Sequence, residues 1–186
     1  MHLVLADNAI ARAKSRPGLV PMLKTVFHIG SHYEFFQAEA LRPTRDSYIV
    51  GDVTIEIARL MESALPGQVM VGEFNIKMPL AGNSETRIPM DTAAFIDRLQ
   101  ESLGVVHGMV LSGERVTSIK CYLTGQREGA SRYEVARHMI ADKHGLQHAA
   151  YNAKINIFRE RGAPIYLGLK ETEIRRQANS RPRRRA

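Results

Sequence analysis

The spacing of apolar and polar residues predicts two blocks with different patterns. In the first block, an apolar run over 25–29 predicts a buried strand that Gly30 closes, and Tyr48-Ile49-Val50 predicts a second extended piece. Apolar residues at helical spacing predict a helix capped by Asp52, and a Pro-Gly pair ends it before a third strand at 68–72. Strand, irregular crossover, helix and strand in this order are typical of an α/β layered unit.

The second block is predicted to be a helix followed by a meander of strands. Asp91 is placed to cap a helix, and its apolar face would hold Phe95, Ile96, Leu99 and Leu103. Alternating apolar positions then predict antiparallel strands joined by short turns, within 117–123, 133–141, 151–157 and 165–169. The pattern therefore predicts an α+β fold, an α/β half-domain followed by a helix and an antiparallel β meander.

Proline and glycine positions separate the two blocks. Residues 79–90 carry two prolines, a glycine, an asparagine and a serine, a composition typical of a linker. We expect a first domain at 1–79, a linker at 80–90, an α+β domain of open role at 91–170, and a basic tail at 171–186.

Charge is concentrated at the C-terminus. The formal net charge is +7, but six of the 26 basic residues lie after Glu173 with no acid among them, which leaves 20 basic against 19 acidic residues elsewhere. A near-neutral body with an arginine tail predicts a disordered, solvated tail and does not favour specific nucleic-acid binding.

Composition favours a cytoplasmic protein with no membrane span. No apolar run approaches the ~20 residues of a membrane helix, and the apolar stretch near the N-terminus is too short for a signal peptide. The single cysteine, Cys121, excludes an intrachain disulfide. It alternates with Ile119 and Leu123, which indicates a buried small side chain and not a nucleophile.

One stretch carries a family resemblance. The run Ile49–Ser63, followed by Pro66-Gly67 and Gln68–Val71, resembles the second half of the class III nucleotidyl cyclase catalytic domain (adenylate and guanylate cyclases). In that family a glycine closes a strand, an Asn and an Arg lie four residues apart on the next helix, and a Pro-Gly turn and a short apolar strand follow. The likeness spans residues 24–74.

The resemblance implies a site for a nucleoside triphosphate at a dimer interface, in a homodimer or with a partner cyclase domain. In the family, two aspartates hold two metal ions, Mg²⁺ or Mn²⁺, and an Asn and an Arg position the ribose and neutralise charge at phosphorus. Arg59 matches the transition-state arginine. Ile55 stands at the asparagine position and Tyr48 at the purine-reading position, and both depart from the pattern.

The expected function follows from these matches and departures. The metal-binding half of the family domain has no counterpart here, so we expect no cofactor bound by this chain alone, and a cyclase-like protein of cyclic-nucleotide signalling that is inactive by itself. Two alternatives stay open. Arg59 and Glu62 would form an ordinary exposed helix pair, and the chain would be a non-enzymatic binding module that uses its C-terminal β domain and arginine tail.

Histidines provide the remaining candidates for chemistry. His28 and His32 lie four apart, but a packed His28 and an exposed His32 are the simpler expectation. Three histidines flank a predicted turn at Asp142 and would suit zinc, although their spacing matches no usual ligand pattern: His138, His144 and His148.

Overall fold

A computed structural model describes residues 22–38, 45–80, 83–103, 108–111, 113–128, 132–141 and 145–180. The strands are β1 (Thr25–Phe27), β2 (Tyr33–Ala38), β3 (Arg45–Val50), β4 (Val69–Gly72), β5 (Asn75–Leu80), β6 (Asn83–Asp91), β7 (Val110–Leu111), β8 (Glu114–Leu123), β9 (Gly125–Glu128), β10 (Arg132–Val135), β11 (Arg137–Ala141), β12 (Gln147–Arg159) and β13 (Ile165–Leu167). The helices are α1 (Asp52–Ser63), α2 (Thr92–Leu103) and α3 (Glu171–Ser180).

Seven strands form the main sheet, and the long strand β12 organises it. The order is β1-β4-β12-β8-β7, with β11 and β13 also paired to β12. Strands β1 and β4 run parallel, and β12 is antiparallel to β4, β8, β11 and β13. Because β4 pairs with β12, residues of both predicted blocks lie in one sheet. Strand pairs β2–β3, β5–β6 and β9–β10 form separate two-stranded ribbons.

The two faces of the main sheet bury different helices. On the inner face, α2 contributes Ile96 to a core that includes Val71, Cys121, Leu123 and Ala153. On the outer face, α1 buries Leu60 and Ala64 against Met70 and Ala150. The helical spacing of the apolar residues explains both contacts, since each helix turns one apolar stripe to the sheet.

Local chemistry sets the helix ends. Asp91 Oδ1 accepts the backbone N–H of Ala94 at 2.8 Å, so Asp91 caps α2 as predicted. Helix α1 begins differently: the N-cap position is Gly51, with no side-chain cap, and Asp52 lies in the first turn. At the other end of α1, Lys24 Nζ donates to the carbonyl of Met61 at 3.3 Å, which satisfies one of the free carbonyls of the last turn.

The sequence pattern missed structure in four places. Residues 31–47, expected to be irregular, include β2 and much of β3. The predicted linker at 80–90 lies largely in the β5–β6 hairpin. The short turn expected between the strands within 117–123 and 133–141 begins with β9. The tail predicted to be disordered from residue 171 begins as α3, while 181–186 lie outside the described residues. In the first two places the ribbons leave most of their described side chains exposed, so their strands bury no apolar stripe in the core.

The fold class is α+β, which confirms the prediction. The buried strand expected after residue 68 is β4, whose four residues are all buried. Strand β1 is only partly buried because it lies at one edge of the sheet. None of the helices in the described part of the chain is both long and apolar enough to cross a membrane.

Candidate functional site

Two glycines lie where the loop between β1 and β2 meets the start of helix α1. Gly51 has φ 144° and ψ 177°, and a Cβ there would lie 2.8 Å from the carbonyl oxygen of Ser31 and 2.9 Å from Cα of His32. Across the same junction, a Cβ on Gly30 would lie 3.1 Å from Cβ of Val53. Both glycines therefore allow close packing of the loop after β1 against the start of α1.

Arg59 lies in a cluster that links α1 to β12. Its Nη1 lies 3.6 Å from Glu56 Oε1 on the same helix and 3.3 Å from Nε2 of His148. His148 Nδ1 in turn lies 2.9 Å from Glu56 Oε2. The carboxylate paired with Arg59 is therefore that of Glu56, and the expected pair with Glu62 is not formed. We call Glu56, Arg59 and His148 the α1–β12 cluster.

The α1–β12 cluster defines one hydrogen-bonding arrangement of the imidazole. When Nδ1 carries the proton, it donates to the Glu56 carboxylate and leaves the Nε2 lone pair to accept from Arg59. The cluster is partly sheltered, with side-chain exposures of 11% for His148 and 28% for Arg59. Both contacts of the guanidinium are made through the same atom, Nη1.

Ile55, which stands at the asparagine position of the resemblance, takes no part in this cluster. Ile55 is 50% exposed on α1 and has no hydrogen-bonding group for a ribose. Tyr48 lies in β3, opposite Phe35 of β2. The structure therefore places Tyr48 on the strand before the motif glycine, Ile55 one turn into the helix, and Arg59 in contact with β12.

His28 is packed, as the sequence suggested, and His32 is exposed. His28 is half-buried against Gly72, its Nδ1 has no hydrogen-bond partner, and its ring meets Phe74 edge-on with centroids 6.1 Å apart. Burial lowers the pKa of His28 from its ordinary value, against an opposing effect of the Glu56 charge. His32 pairs with Glu34 at 3.5 Å, so the two histidines have different neighbours.

The structure separates the histidines of the zinc hypothesis. His138 Nε2 lies 3.2 Å from Glu171 Oε1, whereas His148 contacts Glu56 and Arg59. His144 and Asp142 lie outside the described residues. Within the ranges that the structure describes, no three His, Cys, Asp or Glu residues are grouped so that they could hold a metal ion.

A buried polar cluster attaches α3 to the outer face beside α1. Asn152 is fully buried, and its Nδ2 donates to Thr124 Oγ1 and to the carbonyl of Leu169, both at 2.8 Å. Thr124 Oγ1 donates to Glu171 Oε1 at 2.5 Å, and His138 contacts the same oxygen. These bonds fix the first turn of α3 on the sheet.

A second charged group lies on the surface near the end of β4. Arg137 Nη2 contacts Glu73 Oε2 at 2.5 Å, and the Tyr151 hydroxyl donates to Glu73 Oε1 at 2.9 Å. The hydrogen bond from Arg137 is the main cause of a lowered pKa at Glu73, while burial is the main cause of a raised pKa at Tyr151. Because the group is exposed, we assign it a minor role in stability.

Comparison with known proteins returns no match: no family model, no curated protein and no solved structure matches this chain. The likeness to nucleotidyl cyclases therefore rests on the motif residues themselves, chiefly Gly51, Arg59 and the Pro66-Gly67 turn. Of these, Gly67 has φ 84°, a conformation that suits glycine at the end of a helix.

Sequence reasoning identified Arg59 but missed both of its partners. Glu56 lies one turn before Arg59, and such i,i+3 acids occur on most helices. His148 is 89 residues away along the chain, and only the pairing of β12 with β4 brings it beneath α1. Nothing in the sequence near His148 distinguishes it from an exposed histidine at the start of a strand.

Proposed function

We propose that this chain is a nucleotidyl cyclase-like protein that forms no cyclic nucleotide by itself and acts in cyclic-nucleotide signalling as a partner of another domain. The likeness of residues 24–74 supports the family assignment. The order β3, α1 and β4 matches the strand, helix and strand of that likeness, and Gly51 stands where the family glycine closes a strand.

The α1–β12 cluster is the main support for the proposal that the chain forms no cyclic nucleotide by itself. A guanidinium neutralises charge at phosphorus only if its N–H groups point at the phosphate oxygens. Here Nη1 of Arg59 faces His148 and Glu56, and a phosphate that binds this atom would have to displace a hydrogen bond and an ion pair. Ile55 adds a second deficit, because an isoleucine cannot replace the amide that orients the ribose.

An exposed apolar surface on the β2–β3 ribbon supports the partner role. Tyr33 is 70% exposed and Phe35 is 58% exposed, and both point to one side of β2 because they are two residues apart. Val50 lies directly opposite Tyr33 and is 44% exposed. Adjacent exposed apolar residues are typical of a protein interface. We assign this ribbon surface to a second copy or to a partner cyclase domain.

Sedimentation velocity of the full chain tests the partner role. We expect concentration-dependent dimers in the wild type, and a shift to monomer in Phe35→Asp. The matched control is Met139→Asp, which changes a side chain that is 51% exposed on β11 and should leave the dimer intact. A wild type that stays monomeric up to about 100 μM, where interfaces weaker than ~5 kcal/mol are not populated, would exclude the homodimer and leave only the partner domain.

A second candidate function is a non-enzymatic binding module that uses the C-terminal strands and the arginine tail. The attachment of α3 by Glu171 favours it, because this contact places Arg175 and Arg176 on an ordered helix next to the sheet. Binding of an anionic partner that weakens steeply with salt and depends on the tail would support this function. Binding unaffected by removal of the tail arginines would contradict it.

A further inference from the structure

The outer face of the main sheet is only half covered by α1. Side chains at alternate positions of β12 share this face, and His148 and Ala150 lie under α1. Further along β12 the strand is flanked by β8 on one side and β13 on the other. We call this part the open sheet face; it comprises Lys120 and Tyr122 of β8, Lys154, Asn156 and Phe158 of β12, and Tyr166 of β13.

Aromatic rings stand exposed on both edges of the open sheet face. Tyr166 is 60% exposed and Tyr122 is 38% exposed, although each lies in a sheet whose opposite face is a packed core. Asn156 lies opposite Tyr166 and donates to the Tyr122 hydroxyl at 3.2 Å, so it connects the two edges. The Oδ1 atom of the same asparagine is buried and has no hydrogen-bond partner.

One exposed and one buried lysine lie beside these rings: Lys120 is exposed, whereas Lys154 is only 7% exposed. Lys120 Nζ lies 5.7 Å from the Phe158 ring centroid, and Lys154 Nζ lies 5.9 Å from that of Tyr166. Among the described residues, neither ammonium has a carboxylate within 4.0 Å. Burial lowers the pKa of Lys154, against an opposing effect of the Glu173 charge.

Helix α3 carries two glutamates and two arginines, and the excess positive charge lies in the sequence that follows it. The helix begins directly after Lys170, its exposed side carries Arg175 and Arg176, and the chain then continues into four more arginines. The open sheet face thus combines two exposed tyrosine rings with the exposed ammonium of Lys120, and the arginine-rich C-terminal sequence follows α3. An aromatic face with adjacent cations is the arrangement by which proteins bind single-stranded nucleic acid: bases stack on rings and phosphates contact lysines.

We propose that the open sheet face binds single-stranded nucleic acid. Bases stack on Tyr166 and Tyr122, and Lys120, which lies beside Tyr122 on β8, contacts the phosphate backbone. The two tyrosines lie on strands either side of β12, about 10 Å apart across the sheet, so a single strand crosses β12 to reach both. Charge alone would suit an acidic protein equally well, but two exposed rings beside the lysines favour a partner with flat bases. This inference does not depend on the cyclase-like assignment.

Fluorescence anisotropy with a labelled single-stranded probe, rU12, tests the stacking. We expect saturable binding by the full chain and a loss of affinity of at least about fivefold in Tyr166→Ala, because one stacked base is lost. Tyr33→Ala is the matched control, since Tyr33 is also exposed but lies on the β2–β3 ribbon, and it should bind like the wild type. Thermal melting of each variant verifies that it is folded.

Salt dependence separates the open sheet face from the arginine tail. Lys120→Gln should reduce the slope of log affinity against log salt by about 0.7, the value for one phosphate contact on a single strand. Lys77→Gln, an exposed lysine on β5, should leave the slope unchanged. A chain with Arg181, Arg183, Arg184 and Arg185 replaced by glutamine should bind more weakly and keep its sensitivity to Tyr166→Ala. No binding of rU12, or equal affinity in Tyr166→Ala and wild type, would overturn the proposal.

Discussion

Gly51→Ala should destabilise the chain through the junction between the β1–β2 loop and α1. With φ 144° and ψ 177°, Gly51 has a conformation that is nearly exclusive to glycine and costs other residues about 1–3 kcal/mol. The added Cβ would also lie 2.8 Å from the Ser31 carbonyl oxygen, so the loop or the helix must move. We expect a total loss of at least about 2 kcal/mol in the free energy of unfolding, measured by urea denaturation.

The control for Gly51→Ala is a glycine whose backbone also has a positive φ, but at which an added Cβ would make no close contact. Gly113 has φ 77°, and a Cβ there would meet nothing within 4 Å, so Gly113→Ala should cost only the conformational penalty of about 1–2 kcal/mol. The comparison isolates the close approach of Ser31 to the helix. If Gly51→Ala unfolds at the same urea concentration as Gly113→Ala, the described packing of this junction is wrong.

Two other substitutions test buried polar groups. Because burial lowers the pKa of His28 in the folded chain, His28 of the unfolded chain binds its proton at a higher pH. The free energy of unfolding should therefore fall as the pH drops through 6.5. In urea titrations between pH 7.5 and 5.5, His28→Asn should reduce this loss, while His32→Asn should not. Thr92 Oγ1 accepts the backbone N–H of Phe74 at 2.9 Å in the core, so Thr92→Val should lower the free energy of unfolding by about 1–3 kcal/mol. Thr117→Val, at an exposed position of β8, should change it by less than about 0.5 kcal/mol, and equal effects of the two threonine variants would contradict the assigned hydrogen bond.

The elements that face the core were predictable from sequence. Helices α1 and α2 and strands β4, β8 and β12 each bury an apolar stripe, and the period of that stripe reveals the type of element. Ribbons such as β5–β6 were not predictable, because most of their described side chains are exposed and Pro79 and Pro89 suggested a linker. Proline is compatible with such strands because a two-stranded ribbon leaves half of its N–H groups unpaired.

The contacts within the candidate site were harder to predict from sequence than the core elements. Position within the motif identified Arg59, and helix geometry suggested Glu62 as its partner. The actual neighbours, Glu56 and His148, depend on how α1 lies across β12. That arrangement follows from the burial of Leu60 and Ala64 against the outer face, a long-range contact that spacing along the chain does not specify.

The most direct test of the central claim is an assay for cyclic product. Purified full chain is incubated with ATP or GTP and Mn²⁺, and cyclic nucleotide is measured against a blank and against Arg59→Ala. We predict that wild type and Arg59→Ala both stay at the level of the blank, because Arg59 is held by Glu56 and His148 and Ile55 cannot orient a ribose. Robust turnover by the wild type that is lost in Arg59→Ala would contradict this account.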